Sequence, residues 1–241
     1  MDVAGKIAII TGASDGIGRA TARCFAEAGA KVVLVARSKE KLEELAEELR
    51  RQDREVFVLL ADMRDPIAVK RMVDKAFEHF NRIDILVNNA GQSAAGPIAA
   101  IDIGHFRQIM DLNVYGALYA IQAVVPKMRL GGGGVIINIS SMVSKLRLPG
   151  LGTYAATKAA LNALSVTARV ELAADNIRVI TVFPRTTATD FGKHAVGDMA
   201  LRERQRARAA SIGQPVDSPE YVAKKILQAA QTEPEEIYME G

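Results

Sequence analysis

Six short apolar runs recur along this chain: Ile7–Thr11, Val32–Ala36, Val56–Ala61, Ile83–Asn88, Val135–Ser140 and Val179–Phe183. Each is nearly continuous in aliphatic side chains. A strand with one face in water alternates apolar and polar residues, so runs without alternation indicate strands covered on both faces. Helical patterns separate them. Ser38–Arg51 spaces Leu42, Leu45 and Leu49 along one helical face, with Glu and Lys opposite. Asp65–Phe80 opens on Asp-Pro, a helix start, and gathers Val69, Met72, Val73 and Ala76 on one side. Ile103–Met128 reads as one long helix that Pro126 would end or kink. Gly152–Ala174 is an Ala-rich helix, Pro219–Ala230 a short amphipathic one, and a last strand is expected at Glu236–Met239. This alternation predicts an α/β fold, a doubly wound parallel sheet of about seven strands with helices on both faces.

No linker composition divides the 241 residues and no repeat recurs, so residues 1–241 are read as one domain. Lys and Arg exceed Asp and Glu by only 31 to 28, too weak a field to argue for nucleic acid. Thr186–Gln214 breaks the strand–helix rhythm and holds Arg202, Arg204, Arg206 and Arg208. No aromatic residues interleave with these arginines, so they read as a solvated helix face. No apolar run approaches the roughly 18 residues of a membrane span, and the N-terminus lacks signal-peptide character. The single Cys24 excludes a disulfide scaffold and suits a reducing, cytoplasmic setting. It is expected on the apolar, buried side of the first helix. His79, His105 and His194 have no metal-ligand spacing.

After the first run comes Thr11-Gly12-Ala13-Ser14-Asp15-Gly16-Ile17-Gly18, then a helix. Glycines there let the backbone turn tightly and approach a pyrophosphate. The helix N-terminus adds free N–H groups and a positive dipole end. The spacing Gly-x3-Gly-x-Gly differs from the commoner dinucleotide fingerprint. In this strand–helix order it points to a Rossmann-type sheet, with a purely structural Gly-rich turn as the alternative. Sheets that prefer NAD end the second strand in Asp or Glu, which bonds the ribose 2′-hydroxyl. Here Ala36 stands there, followed by Arg37 and Ser38. Arg37 can neutralise a 2′-phosphate and bond it twice. NADP(H) is therefore expected over NAD(H), against the negative charge that Asp15 adds nearby.

Ser141 ends a predicted strand, where open α/β sheets bind ligands. Tyr154 and Lys158 lie four apart on one predicted helix, so they share a face. A neighbouring ammonium favours the phenolate, which makes Tyr154 a usable general acid or base for a carbonyl/alcohol pair. Ser141 could hold the substrate oxygen.

Taken in order, these motifs resemble the short-chain dehydrogenases/reductases of single-domain type, over essentially the whole chain. The markers are Thr11 to Gly18, Asn88-Asn89-Ala90-Gly91, Asn113, Ser141, and Tyr154 with Lys158. The resemblance implies that Asn113 completes a catalytic tetrad, distorts its helix and holds a water linking Lys158 to solvent. It implies that Asn89, Ala90 and Gly91 run along the cofactor ribose and that Asp62 and Met63 contact the adenine. Pro184, Thr187 and Thr189 match the segment beside the carboxamide and pyrophosphate. It further implies a small-molecule carbonyl or alcohol substrate, with a homodimer or homotetramer formed through the helices at 103–128 and 152–174.

Two departures bear on function. The family usually has Pro-Gly after the sixth strand, whereas this chain has Pro184-Arg185. Arg lacks glycine's backbone freedom. With Lys145 and Arg147, Arg185 hints at an anionic substrate if it faces the cleft rather than solvent. The C-terminus also lacks the signature of 3-oxoacyl-carrier-protein reductases, which leaves that activity as an alternative to a general carbonyl reductase. A non-catalytic NADP-binding regulatory protein is a second alternative. Residues 189–214 correspond to the family's substrate lid, with Gly192, Gly197 and Gly213 as hinges.

Overall fold

The apolar runs do form strands, because each buries side chains to both sides. In a computed structural model describing residues 1–201, 203–204 and 215–239, the strands are β1 (Ile7–Thr11), β2 (Lys31–Ala36), β3 (Val56–Leu60), β4 (Ile85–Asn88), β5 (Ala94–Ala95), β6 (Gly134–Ile139), β7 (Ile177–Phe183), β8 (Val196–Gly197) and β9 (Glu236–Tyr238). Arg202, Arg206, Arg208 and Gly213 lie outside the described residues. Seven strands make one parallel sheet in the order β3-β2-β1-β4-β6-β7-β9. Along β1, Ile7 and Ile9 enter one core layer while Ala8 and Ile10 enter the other.

The helices are α1 (Gly16–Glu27), α2 (Lys39–Arg50), α3 (Pro66–Phe80), α4 (Ile103–Met110), α5 (Gly116–Leu130), α6 (Gly152–Glu171) and α7 (Pro219–Thr232). Phe25 of α1, Leu42, Leu45 and Leu49 of α2, and Ile226 of α7 fill the first layer. Met72 and Val73 of α3, with Ile121, Val124 and Met128 of α5, fill the second. Helices thus cover both faces, the doubly wound α/β arrangement expected. Asp65 and Ser218 cap α3 and α7, each followed by a proline at the first helical position. Cys24 is half-buried rather than fully buried, and burial raises its thiol pKa.

The helix expected over Ile103–Met128 is broken. α4 stops at Met110, Asp111–Tyr115 forms a π-turn, and α5 resumes at Gly116. The wider turn carries Asn113 into the interior. Pro126 stays inside α5, on its exposed side, without ending it. A further parallel pair, β5 with β8, joins the loop after β4 to the segment after β7 (Ala94 to Val196, Ala95 to Gly197). Two-residue strands of small residues leave no pattern in the sequence.

Candidate active site

β1 and β4 are neighbours at the point where strand order reverses, so the loops beyond their carboxyl ends diverge and leave a crevice. Its floor is pinned by side chains. Thr11 Oγ1 donates to the Val87 carbonyl (3.2 Å) and accepts the N–H groups of Asn89 and Ala90 (3.0 Å each). Asn89 Nδ2 donates to the carbonyls of Thr11 (2.9 Å) and Gly12 (3.3 Å). Gly12 has φ +67°, and a Cβ there would lie 2.8 Å from Asn89 Nδ2. Gly18 is tighter: its Cβ would lie 2.1 Å from the Gly12 carbonyl oxygen. These glycines are required by the turn's packing on itself, besides any ligand's approach.

Asp15 caps α1, accepting from Gly16 N at 2.7 Å, and pairs with Lys41 at 3.3 Å. Its charge is therefore already engaged. Ile17 and Gly18 stand in the first turn, where amides have no carbonyl of their own helix to bond. Such amides suit an anionic pyrophosphate, and the absent side chains of Gly12 and Gly16 leave the backbone accessible, with Ser14 half-buried between them. The donor set fits a dinucleotide. Gly18→Ala is expected to destabilise the fold by about 1–3 kcal/mol through overpacking and to abolish dinucleotide binding. Thermal unfolding and NADPH fluorescence titration check this, and wild-type behaviour in both would refute it.

At the end of β2, Arg37 is 69% exposed and stands 4.0 Å from Asp62. Ser38 begins α2 with its hydroxyl making no cap bond. Asp62, beyond β3, is gripped by Arg64 at 2.5–3.2 Å, which holds its carboxyl below the usual carboxylate range. The side chain of Met63 belongs to the core, packed at Gly116.

The polar cluster sits between β6 and α6. Ser141 leaves the end of β6 buried, its Oγ accepting from Val143 N at 3.2 Å. Tyr154 and Lys158 occupy successive turns of α6, both buried. Lys158 Nζ lies 5.9 Å from the Tyr154 ring centre and donates to the Ile139 carbonyl at 2.7 Å. Burial alone pushes the Lys158 ammonium down to about 8. Asn113 donates to the Gln92 carbonyl (2.8 Å) and to Thr157 Oγ1 (3.0 Å), and accepts from Gln92 N (2.8 Å). Its Oδ1 and Lys158 Nζ flank Gly91: a Cβ there would be 3.1 Å from the first and 3.6 Å from the second.

Sequence reasoning missed three supporting residues. Thr157 links Asn113 to α6 and donates to the Tyr154 carbonyl at 2.8 Å. Asn162 accepts from Ser140 Oγ (2.5 Å) and donates to Ser144 Oγ (3.0 Å), which itself bonds the Ser141 carbonyl (2.7 Å). Its position four residues beyond Lys158 was the available signal. Gln92 carries the Asn113 bonds on its backbone and reaches the His194 carbonyl (2.6 Å) and Gln108 (3.0 Å) with its side chain.

The segment after β7 corrects one expectation. Arg185, only partly exposed, does not offer a free charge to substrate. It grips Asp217 with two bonds, Nη2 to Oδ1 at 2.9 Å and Nε to Oδ2 at 3.2 Å. Arg185 also has no positive φ, so the backbone here does not need glycine. Lys145 is paired too, with Glu236 at 3.7 Å, and lies over the Phe183 ring. Only Arg147 of the three cations has no acidic partner among the described residues. Thr189 caps a short 3-10 turn and lies against Gly16, where a Cβ would be 3.0 Å from Thr189 Cγ2. Phe191, two residues on, faces Tyr154 at 5.9 Å between ring centres. The glycine turn, the Ser141–Tyr154–Lys158 cluster and Thr189 thus meet along one edge of the sheet, with Arg37 at its outer end.

Comparison with known proteins bears on this edge. Residues 6–200 match the family model described as short chain dehydrogenase. Sulfoacetaldehyde reductase 2 of Chromohalobacter salexigens is 35% identical over 216 residues, 86% of this chain and 85% of that protein. A short chain dehydrogenase/reductase from Burkholderia phymatum, solved with NAD, superposes with a TM-score of 0.91 at 25% identity, covering 99% of this chain and 90% of that one. An alcohol dehydrogenase from the archaeon Thermococcus sibiricus, solved with 5-hydroxy-NADP, gives 0.83 at 28% identity, covering 97% and 95%.

Proposed function

The chain belongs to the short chain dehydrogenase family of oxidoreductases, and on that premise we propose that it is an NADP-dependent carbonyl reductase with Tyr154 as general acid/base. The observation that carries the reading is Lys158, a buried ammonium 5.9 Å from the Tyr154 ring. A cation at that distance favours the phenolate, so Tyr154 can release and recover a proton.

The dinucleotide, when bound, supplies or accepts the hydride. Ser141 and Tyr154 bond the substrate oxygen, and Tyr154 delivers the proton that completes the alcohol. Lys158 balances the phenolate left behind. Asn113 Oδ1 and Lys158 Nζ both stand beside Gly91, and a water held between them would return that proton. Asn89, Ala90 and Gly91 would hold the ribose side of the cofactor, Asp62 and Met63 its adenine, and Pro184, Thr187 and Thr189 its carboxamide and pyrophosphate. The reverse oxidation uses the same groups. The catalytic unit is the whole of residues 1–241, acting as a homodimer or homotetramer. Arg185 and Lys145 are paired with acids, so of the three cations only Arg147 is left to draw an anionic substrate. Turnover of aldehydes, ketones, diketones and ketoacyl thioesters, followed by NADPH absorbance, tests the assignment; no turnover across that panel would leave a binding role only.

The NADP preference rests on Arg37 and Ser38 beyond an acid-free strand end. Arg37→Ala should raise KM for NADPH about tenfold, the loss of one bidentate charged contact, and leave KM for NADH within about twofold. Equal efficiency of the wild type with NADH and NADPH would remove the preference.

A further inference from the structure

Arg185 stands where chains of this family usually carry glycine, and its partner lies 32 residues away. Asp217 is nearly fully buried, with its side chain 7% exposed. A buried carboxylate needs a counter-charge and bonds to both oxygens, and the guanidinium supplies both with its two parallel bonds. Asp217 is also bound through its backbone. Its N–H donates to the Thr186 carbonyl (2.8 Å), and its carbonyl accepts from Ala188 N (2.9 Å), making Thr187 and Asp217 a parallel bridge. Residues 185–188 are thus stitched to one residue at three points. Just beyond, Thr189 N donates to the Thr187 carbonyl (2.8 Å), and the Thr189 side chain rests on Gly16.

Resting on the NADP(H) reading above, we infer that Arg185 is a positioning residue for the cofactor: its clasp on Asp217 holds Thr187 and Thr189 over the glycine turn, where they meet the bound dinucleotide. The backbone at Arg185 has no positive φ and needs no glycine. The backbone path that Thr187 and Thr189 need is set from the side by an ion pair. Arg185 itself touches no reacting atom. Losing the clasp leaves Asp217 as a buried carboxylate without its cation, and residues 185–189 then keep only the two backbone bonds to Asp217.

The test is NADPH binding by fluorescence titration, with thermal unfolding measured alongside. Arg185→Gln and Arg185→Gly should weaken NADPH binding about tenfold and raise its KM to match, with kcat at saturating NADPH within about threefold. Arg185→Lys, which keeps the charge but not the fork, should lose about threefold. The swap of Arg185→Asp with Asp217→Arg should recover part of the loss seen in either single change. Lowered thermal stability with unchanged NADPH affinity would make the clasp merely structural and overturn the inference. So would equal losses in Arg185→Lys and Arg185→Gln with no recovery in the swap. A wild-type protein that binds neither NADPH nor NADH would instead overturn the functional reading and this inference with it.

Discussion

Tyr154→Phe is expected to lower kcat for carbonyl reduction by about 10³-fold, within the range assigned to a positioned general acid, while NADPH binding stays within about twofold. The change removes one oxygen and nothing else. The ring is buried, packs near Phe191 and sits on the first turn of α6, and phenylalanine fills the same space. Lys158 keeps its bond to Ile139, and Ser141 keeps its bond from Val143. Loss of the hydroxyl should cost stability only about 1 kcal/mol. The substrate oxygen then has Ser141 to hold it but no proton donor matched to neutral pH, because an alcohol hydroxyl is far too weak an acid. Single-turnover kinetics with preloaded NADPH separates the effects: binding intact, chemistry lost. A variant within tenfold of the wild type would place the proton donor elsewhere and refute the role given to Tyr154.

Much of this arrangement could be read from the chain, and the reasons differ by element. The strands were legible because both faces are buried, so Ile7–Thr11 and Val179–Phe183 announce themselves without neighbours. Tyr154 and Lys158 were legible because a helix converts a spacing of four into one face. The break at Asp111–Tyr115 left no periodic trace: an extra residue in one turn barely shifts the apolar pattern, and only the resemblance through Asn113 suggested it. The Arg185–Asp217 pair was invisible because charge partners distant in sequence meet only once the sheet has formed. The same holds for Gln92, whose importance lies in its backbone bonds to Asn113, something no side-chain pattern records. Arg37 marks the opposite limit. Its sequence position suggested a phosphate ligand, and the fold leaves it exposed at the outer end of the edge.

Lys158→Met is expected to do two opposite things: reduce turnover by 10²-fold or more, and make the protein more stable below pH 8. The ammonium is buried and bonded to the single carbonyl of Ile139. Burial lowers its pKa from the ordinary lysine value of 10.5 to about 8, and a shift of that size corresponds to about 3 kcal/mol of folding free energy. Below pH 8 the amine is charged in both folded and unfolded chains, so the folded state bears that cost in full. Between pH 8 and 10.5 the unfolded chain holds the proton and the folded chain does not, so wild-type stability should rise with pH across that window. Methionine fills similar volume without charge but leaves the Ile139 carbonyl unbonded, a loss of about 1–2 kcal/mol. The variant should therefore be more stable by about 1–2 kcal/mol near pH 6.5, equal to the wild type at about pH 9, and less stable by pH 10. Thermal unfolding at stepped pH reads the crossing directly. A constant difference between the two proteins from pH 6.5 to 10 would mean that the folded protein does not depress Lys158, and the cost assigned to its buried charge would fall with it. The crossing itself would show a stabilising change given up at the residue that activates the acid, a trade expected where a buried charge serves chemistry rather than folding.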